Sequence, residues 1–282
     1  MNKHSIFHPT RRMSLLRNAS LIGFVMLMGY FGIRHQIVGG GPQGSPPLDS
    51  YCVFGGVETL WSYVTKGQFL QKTNLSNLVL LTAAVLVTLL TGASFCGWIC
   101  PFGALQEWIG IIGKRLFGKQ FPLPVHIDRP LRYLRFVLLA LILYMTISTD
   151  KLWFEIHDPF KAFFGFEFEL SPGLVILLLL SILSIFIERF FCKYLCPLGA
   201  LFSLLSPLSI IKLKRQSSHC IGCNLCNKSC PMGIDVAHVQ NTGGDCIRCL
   251  QCMENCPKPE ALILESGKNP SPPIPHSVDY RR

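Results

Sequence analysis

Charged residues are scarce in this sequence. Only 15% of its 282 residues are Asp, Glu, Lys or Arg, whereas an average soluble domain carries about 25%. The deficit lies in long stretches without any charge, such as residues 18–33 and 73–106. A hydrocarbon core about 30 Å thick is crossed by roughly 20 mostly apolar helical residues. The sequence therefore indicates an α-helical membrane protein and excludes an ordinary soluble one.

Four apolar runs predict four transmembrane helices, and the first and third are short enough to need flanking residues. The runs lie within residues 18–33, 73–106, 136–149 and 170–187. The first run could instead be a cleaved signal peptide, and Arg11-Arg12 suggests a twin-arginine signal. No small-x-small cleavage site follows it, however, and the "MSLL" after the arginines fits that signal poorly. We therefore expect an uncleaved anchor.

Lysine and arginine are concentrated in three of the segments outside these runs. They precede the first run, separate the second from the third and follow the fourth: Lys3, Arg11, Arg12, Arg17, Lys114, Arg115, Lys119, Arg129, Arg132, Arg135, Arg189, Lys193, Lys212, Lys214 and Arg215. Because lysine and arginine remain on the cytoplasmic side, both termini are predicted to be cytoplasmic in a bacterial inner membrane. The net charge of +10 is thus a topology signal and does not indicate nucleic-acid binding.

Two kinds of haem site are missing from the sequence. No Cys-x-x-Cys-His motif for c-type haem attachment occurs, and none of the eight histidines lies within an apolar run. If the protein transfers electrons, iron–sulfur chemistry must carry them.

Cysteine is abundant near the C-terminus. "CIGCNLCNKSCP" begins at Cys220 and "CIRCLQCMENCP" at Cys246. Each is a Cys-x2-Cys-x2-Cys-x3-Cys-Pro run, the bacterial ferredoxin pattern for [4Fe–4S] clusters, in which the fourth cysteine ligates the other cluster. The predicted ligand sets are therefore Cys220, Cys223, Cys226 and Cys256 for one cluster, and Cys246, Cys249, Cys252 and Cys230 for the other. A zinc ribbon is the less specific alternative, and disulfides are not expected in the cytoplasm.

These patterns predict three regions. Residues 1–211 form a four-helix membrane domain, and residues 212–267 form a small cytoplasmic ferredoxin-like α+β domain with two clusters. A domain of that size has too little surface to bury for a robust core, so the clusters should supply much of its folding energy. The proline-rich residues 268–282 are expected to be disordered.

A second cysteine pattern is repeated within the membrane domain. "FCGWICPFGAL" begins at Phe95 and "FCKYLCPLGAL" at Phe191. Each proline can begin a helix. The first helix is predicted to be amphipathic and to lie at the inner face, and the second is interrupted by Pro207. The apolar stripe of the first comprises Leu105, Trp108, Ile109, Ile112 and Leu116.

The four cysteines of these repeats are predicted to lie at the cytoplasmic edge of the membrane. Cys96, Cys100, Cys192 and Cys196, called the quartet below, could hold a third cluster, zinc or copper(I). Two alternatives are simple packing of small apolar side chains and a reversible disulfide.

Together the four runs, the repeated Cys-x3-Cys-Pro segments and the ferredoxin pattern resemble the NapH-type membrane polyferredoxins. That family is related to the membrane part of NosR and to CcoG. The resemblance spans nearly the whole chain and implies a quinol dehydrogenase component. Such a component links the quinone pool to a periplasmic or membrane redox partner of ferredoxin or cytochrome c type. The likeness to CcoG favours an alternative, a metal-reducing assembly factor for a respiratory enzyme, and a redox sensor is a third hypothesis.

Four residues on the non-cytoplasmic side are candidates for a quinone site. Quinol oxidation releases two protons and needs acceptors beside an apolar slot, and Glu58, Glu155, His157 and Asp158 could serve. The alternative is an ordinary loop with solvated charges and an Asp-Pro turn. Oxidation at this face leaves a difficulty, since electrons would have to cross about 30 Å of hydrocarbon to reach the tail clusters.

Overall fold

Helices make up most of the described chain in the computed structural model of the protein. It describes residues 11–40, 44–67, 75–118, 123–149, 152–166 and 171–266. The predicted disordered tail, residues 268–282, lies outside these ranges.

Twelve α-helices and two β-strands occur in the described ranges. The helices are α1 (Arg11–Val38), α2 (Val53–Lys66), α3 (Leu75–Thr91), α4 (Ser94–Trp98), α5 (Pro101–Phe117), α6 (Val125–Thr149), α7 (Pro159–Phe164), α8 (Pro172–Phe186), α9 (Phe190–Tyr194), α10 (Pro197–Leu205), α11 (Leu225–Lys228) and α12 (Gln251–Glu254). The strands are β1 (Ile211–Arg215) and β2 (Leu262–Ser266).

Two of the described helices are long and apolar enough to cross a membrane. They are the segments Met13–Val38 of α1 and His126–Thr149 of α6. Helices α3 and α8 coincide with the second and fourth apolar runs but have only 17 and 15 residues. At 1.5 Å per residue they are about 25 and 22 Å long, which is less than a typical hydrocarbon core.

The repeat seen in the sequence is also a repeat of structure. Helices α3, α4 and α5 recur in the same order as α8, α9 and α10, and the short helices α4 and α9 begin and end at equivalent positions. Both α5 and α10 start at the proline after an extended cysteine, Cys100 or Cys196. Proline is suited to a first helical position because it lacks an N–H that would have no partner there.

Helix α5 buries its small and polar side. Gly103, Glu107, Gly110 and Gly113 are among its buried residues, and a Cβ at Gly113 would collide with the backbone of α8. The predicted apolar stripe is divided: Ile112 and Leu116 are 53% and 70% exposed, whereas Leu105 packs against the buried core of Phe102, Ala162 and Leu177. Most of the stripe therefore does not form the protein core.

The C-terminal part combines a small sheet with the cysteine-rich loops. Strands β1 and β2 pair antiparallel, with Leu213 opposite Leu264. Leu213, Val236 and Met253 form a core together with several of the cysteines. This arrangement agrees with a small α+β ferredoxin-like unit.

Candidate iron–sulfur sites

Each predicted tail ligand set lines a recess of its own. Among the lining residues of the first recess are all four predicted ligands, Cys220, Cys223, Cys226 and Cys256. The second recess is lined by Cys230, Cys246, Cys249 and Cys252, among others. The structure thus groups the cysteines in the two crossed sets; ligation itself remains a prediction.

The backbone around these cysteines has the same unusual conformation in both runs. The residues on either side of the second cysteine, Gly222 and Asn224 in one run and Arg248 and Leu250 in the other, have positive φ. Backbone that passes through left-handed residues turns successive N–H groups toward a concavity that attracts anions. Four thiolates around an iron–sulfur core form an anionic group, so both loops fit such a cluster.

Burial makes the tail thiols costly to ionise without a metal. It raises the pKa of Cys249 to about 12, and the nearby thiols of Cys230 and Cys246 add to the rise. Burial also raises the pKa of Cys226, with a further contribution from Cys256. Since metal ligation requires the thiolate form, these are sites where a bound cation would offset an otherwise unfavourable charge.

The two pairs of the quartet are brought together by the fold. Burial raises the pKa of the Cys96 thiol, and Cys100, Cys196 and Cys192 all lie close enough to raise it further by their charge. All thirteen cysteines lie in the described residues and none forms a disulfide. A shared ion such as zinc is not supported, because no three described His, Cys, Asp or Glu side chains are grouped to hold one metal ion.

Sequence reasoning missed a buried cluster of three charges beside the quartet. Glu107 lies between Arg17 and Arg189, and this charge triad is almost completely buried. Burial acts to raise the pKa of Glu107, but the charges of Arg189 and Arg17 hold it at about 2. One signal in the sequence could have pointed to Glu107, which is the first charged residue after the long uncharged run of residues 73–106. The two arginines had been interpreted only as indicators of membrane topology.

The tail is held against the membrane domain by polar contacts near its cysteines. Asp245, next to Cys246, forms ion pairs with Arg132 and Arg135 of α6. The indole N–H of Trp98 donates to the Arg248 carbonyl oxygen at 2.9 Å. These contacts fix the second tail recess beside the first Cys-x3-Cys-Pro segment.

Two of the four quinone-site candidates are buried together. Glu58 accepts a hydrogen bond of 2.6 Å from Thr146, and burial raises its pKa to about 7, with Asp158 among the charges that contribute. Burial also raises the pKa of Asp158 to about 7, although its side chain accepts a bond from the Phe160 N–H. Glu58 and Asp158 are called the acidic pocket below.

The other two candidates have different surroundings. Glu155 is paired with Lys161 at 2.7 Å, and Lys161 also binds Asp49 at 2.9 Å. The ring of His157 stacks on Trp153 with 4.4 Å between centroids. Glu155 and His157 are half-buried and already engaged in these contacts, so they are weaker candidates for proton acceptors.

Asp158 of the acidic pocket lies near Cys100 of the quartet. Cys100 and Phe160 both pack against the buried core of Phe102, Ala162 and Leu177. Burial raises the pKa of the Cys100 thiol, and the charge of Asp158 contributes to this rise. The short helix α7 therefore brings part of the loop that follows α6 into the same core as Cys100.

Comparison with known families assigns both cysteine patterns to iron–sulfur domains. A 4Fe-4S binding domain matches residues 73–120 and 172–216, which contain the quartet. A 4Fe-4S dicluster domain matches residues 212–257, which contain both tail runs. Iron–sulfur clusters are thus supported as cofactors of this chain.

Several characterised and uncharacterised proteins are similar in sequence. YccM of Escherichia coli, provisionally described as an electron transport protein, is 34% identical over 197 residues, which cover 67% of this chain and 55% of YccM. The uncharacterized protein MJ0750 of Methanocaldococcus jannaschii is 34% identical over 67% of this chain and 77% of its own length. The ferredoxin-type protein NapH of Haemophilus influenzae is 28% identical over 78% and 73%, respectively. No solved structure matches the chain.

The cysteine runs, the helical fold and the relatives agree. The two domain matches account for all twelve motif cysteines, and the similarity to MJ0750 and NapH extends over most of both partners in each comparison. The chain belongs to the NapH-like family of membrane polyferredoxins, iron–sulfur proteins of electron transport.

Proposed function

We propose that this chain is a multi-pass protein of the bacterial inner membrane that accepts electrons from quinol and passes them to a redox partner. The observation that carries the proposal is the closeness of Asp158 to Cys100, whose thiol pKa the Asp158 charge helps to raise, beside a core that Cys100 and Phe160 both contact. A quinol oxidised beside that core would release its protons and its electrons at one place.

The acidic pocket has the chemistry that quinol oxidation needs. Conversion of one quinol to quinone releases two protons and two electrons. Carboxyl groups with a pKa of about 7, as in Glu58 and Asp158, can take up protons near neutral pH and release them again. Phe54 and Phe154, whose rings meet edge to face at 5.1 Å, supply apolar surface for a quinone ring.

Iron–sulfur groups would receive the electrons one at a time. The eight tail cysteines would hold two [4Fe–4S] clusters in the crossed arrangement, and we assign a third iron–sulfur site to the quartet. The domain match over both Cys-x3-Cys-Pro segments supports that assignment, as does the mutual influence of the four thiols.

The membrane arrangement follows from the same proposal. Helices α1, α3, α6 and α8 are the four spans, with both termini and the tail domain in the cytoplasm. The shortness of α3 and α8 is accommodated by local thinning of the bilayer, which costs fractions of a kcal/mol per Å. A reporter fused after Arg282 should be active in the cytoplasm, and activity confined to the periplasm would overturn this topology.

Anaerobic purification tests the proposal directly. Three [4Fe–4S] clusters correspond to about twelve irons per chain and the tail alone to about eight. Reduction by a soluble quinol analogue, followed by EPR, should be fast in the wild type. It should fall by about a hundredfold in the double variant E58Q/D158N, since positioned general bases contribute 10²–10⁴-fold.

Two controls make the result specific. Dithionite should reduce the wild type and the double variant equally, and E260Q, which removes a surface carboxylate, should keep the wild-type rate. Unchanged rates in E58Q/D158N would move the quinone site elsewhere. A wild type that quinol does not reduce, but that transfers electrons from dithionite to copper(II), would favour the assembly-factor alternative.

A further inference from the structure

The charge triad joins the quartet to the tail. Glu107 Oε2 accepts bonds of 2.6 Å from both Arg17 Nη2 and Arg189 Nη2. Its other oxygen accepts 3.0 Å bonds from Arg17 Nη1 and from the Gln251 side chain. Because Gln251 lies between Cys249 and Cys252 in the chain, the triad touches the loop that carries the second tail ligand set.

The arginines also bind the first Cys-x3-Cys-Pro segment. Arg189 Nη1 donates to the Cys96 carbonyl oxygen at 3.0 Å, and Arg17 Nε donates to that of Gly97 at 2.9 Å. The Arg189 guanidinium also lies beside the Cys192 sulfur. Burial raises the pKa of that thiol to about 11, and the charge of Arg189 and a hydrogen bond from it oppose the rise. One side chain thus contacts both cysteine repeats.

Arg189 occupies a position that is expensive to maintain. Its side chain is completely buried, and its backbone adopts the left-handed conformation with φ of 54°. A non-glycine residue rarely adopts that conformation, because its Cβ crowds the backbone there. Two arginines and one glutamate leave a net charge of +1, and an uncompensated buried charge is strongly unfavourable. An anionic group beside the triad would compensate that charge.

We propose that Arg189 is a positioning residue that sets the reduction potential of the quartet iron–sulfur site, with Glu107 acting in the opposite direction. The inference rests on the proposed third iron–sulfur site. A thiolate-ligated cluster is negative, and each added electron makes it more negative. A buried cation at close range therefore stabilises the reduced form, and a buried anion stabilises the oxidised form, with little screening by solvent.

The sign of the effect separates this role from simple packing. R189Q removes the cation and should lower the midpoint potential of the quartet signal. E107Q removes the anion and should raise it. If Arg189 and Glu107 only held the fold together, R189Q and E107Q would shift the midpoint potential in the same direction. Alternatively, both variants would broaden the EPR signal without a consistent shift in potential.

The measurement is an EPR-monitored redox titration of the purified full-length chain. In R189Q we expect the equilibrium constant for reducing the quartet site to fall at least tenfold, which equals 59 mV for one electron. R189K retains the charge and should remain closer to the wild type than R189Q does. R115Q removes an exposed cation on the same helix as Glu107, and it should leave the potential unchanged.

Each outcome decides between the proposals. If the wild type shows only two cluster signals and about eight irons, the third site is absent and this inference falls with it. If three signals are present and R189Q and E107Q shift them equally or not at all, only the inference fails. If R189Q loses the quartet signal, R189K and E107Q decide: an upward shift in E107Q supports the proposal, and its absence overturns it.

Discussion

The two Cys-x3-Cys-Pro segments share one local structure but contact different parts of the molecule. In the first, Cys100 N–H bonds the Phe95 carbonyl oxygen at 2.9 Å, and in the second Cys196 N–H bonds that of Phe191 at 2.8 Å. Ala104 and Ala200, which follow at equivalent positions, are both fully buried. The residues that recur in the sequence are thus those that place the cysteines.

The residues that differ between the repeats determine what each repeat touches. Gly97 lets the Ile247–Cys249 backbone approach closely, whereas its counterpart Lys193 lies near Gly233 in the loop after Cys230. Trp98 bonds the tail, and its counterpart Tyr194 donates to Asp128 of α6. Identical residues thus build the quartet, whereas Gly97, Trp98 and Lys193 contact the two loops of the second tail site.

The strongest test of the comparison is removal of one cysteine from each repeat. C96S and C192S should each eliminate the quartet cluster, because one missing thiolate leaves three ligands. Iron should fall from about twelve to about eight per chain in both variants, while the tail signals persist. C52S is the control and should retain all the iron. Loss of iron in only one of the two variants would show that the repeats are not equivalent.

The acidic pocket, whose Asp158 lies near Cys100 of the first repeat, predicts a pH effect. Glu58 has a pKa of about 7 in the folded protein against 4.5 ordinarily. The folded state then binds its proton more tightly, so wild-type stability falls as pH rises from about 4.5 to about 7 and is level above that. The E58Q variant does not undergo this loss. Its free energy of unfolding at pH 8 should therefore exceed that of the wild type by about 3 kcal/mol.

Melting temperatures in detergent at pH 5 and pH 8 measure this effect. The difference between E58Q and the wild type should be small at pH 5 and large at pH 8. The surface variant E260Q should show no such dependence. An equal difference at both pH values would mean that Glu58 ionises normally in the folded protein.

A methyl group at Gly97 should break the contact that distinguishes the first repeat. In G97A the new Cβ would collide with the Ile247 carbonyl oxygen, and forced overpacking typically costs about 1–3 kcal/mol. We expect faster proteolysis of the tail and faster hydrogen exchange in the Cys246–Cys252 loop. G199A is the matched control, because its Cβ would have only ordinary contacts at 3.4 Å or more. Equal behaviour of the two variants would contradict a role for Gly97 in docking.

The smallest effect should come from the aromatic pair at equivalent positions. W98F loses the bond to the Arg248 carbonyl oxygen, and Y194F loses the bond to Asp128. Each change should lower the free energy of unfolding by about 1 kcal/mol, the usual net contribution of one hydrogen bond to stability. Hydrogen exchange should increase in the Cys246–Cys252 loop for W98F and near Asp128 for Y194F. The same pattern in both variants would mean that these contacts do not direct docking.

Sequence spacing supplied the predictions that depend on neighbours in the chain. The crossed ligand sets rest on two complete cysteine runs, and the structure groups those cysteines in the same sets. The helices that begin at Pro101 and Pro197 were also predicted from local chemistry. The sequence also predicted an apolar stripe on α5. Which side of that helix packs inward depends instead on the close approach of other backbone at glycines such as Gly113.

The sequence by itself determined the cofactor chemistry, the family and the apolar segments, because ligand spacing and hydrophobic runs are properties of short stretches of chain. Only the tertiary structure decided that Arg189 meets Glu107, 82 residues away, and that Asp158 lies near Cys100. Pairings across such separations depend on how helices pack, and no local pattern encodes them. The charges that act on the quartet could therefore be named only after the fold had brought them together.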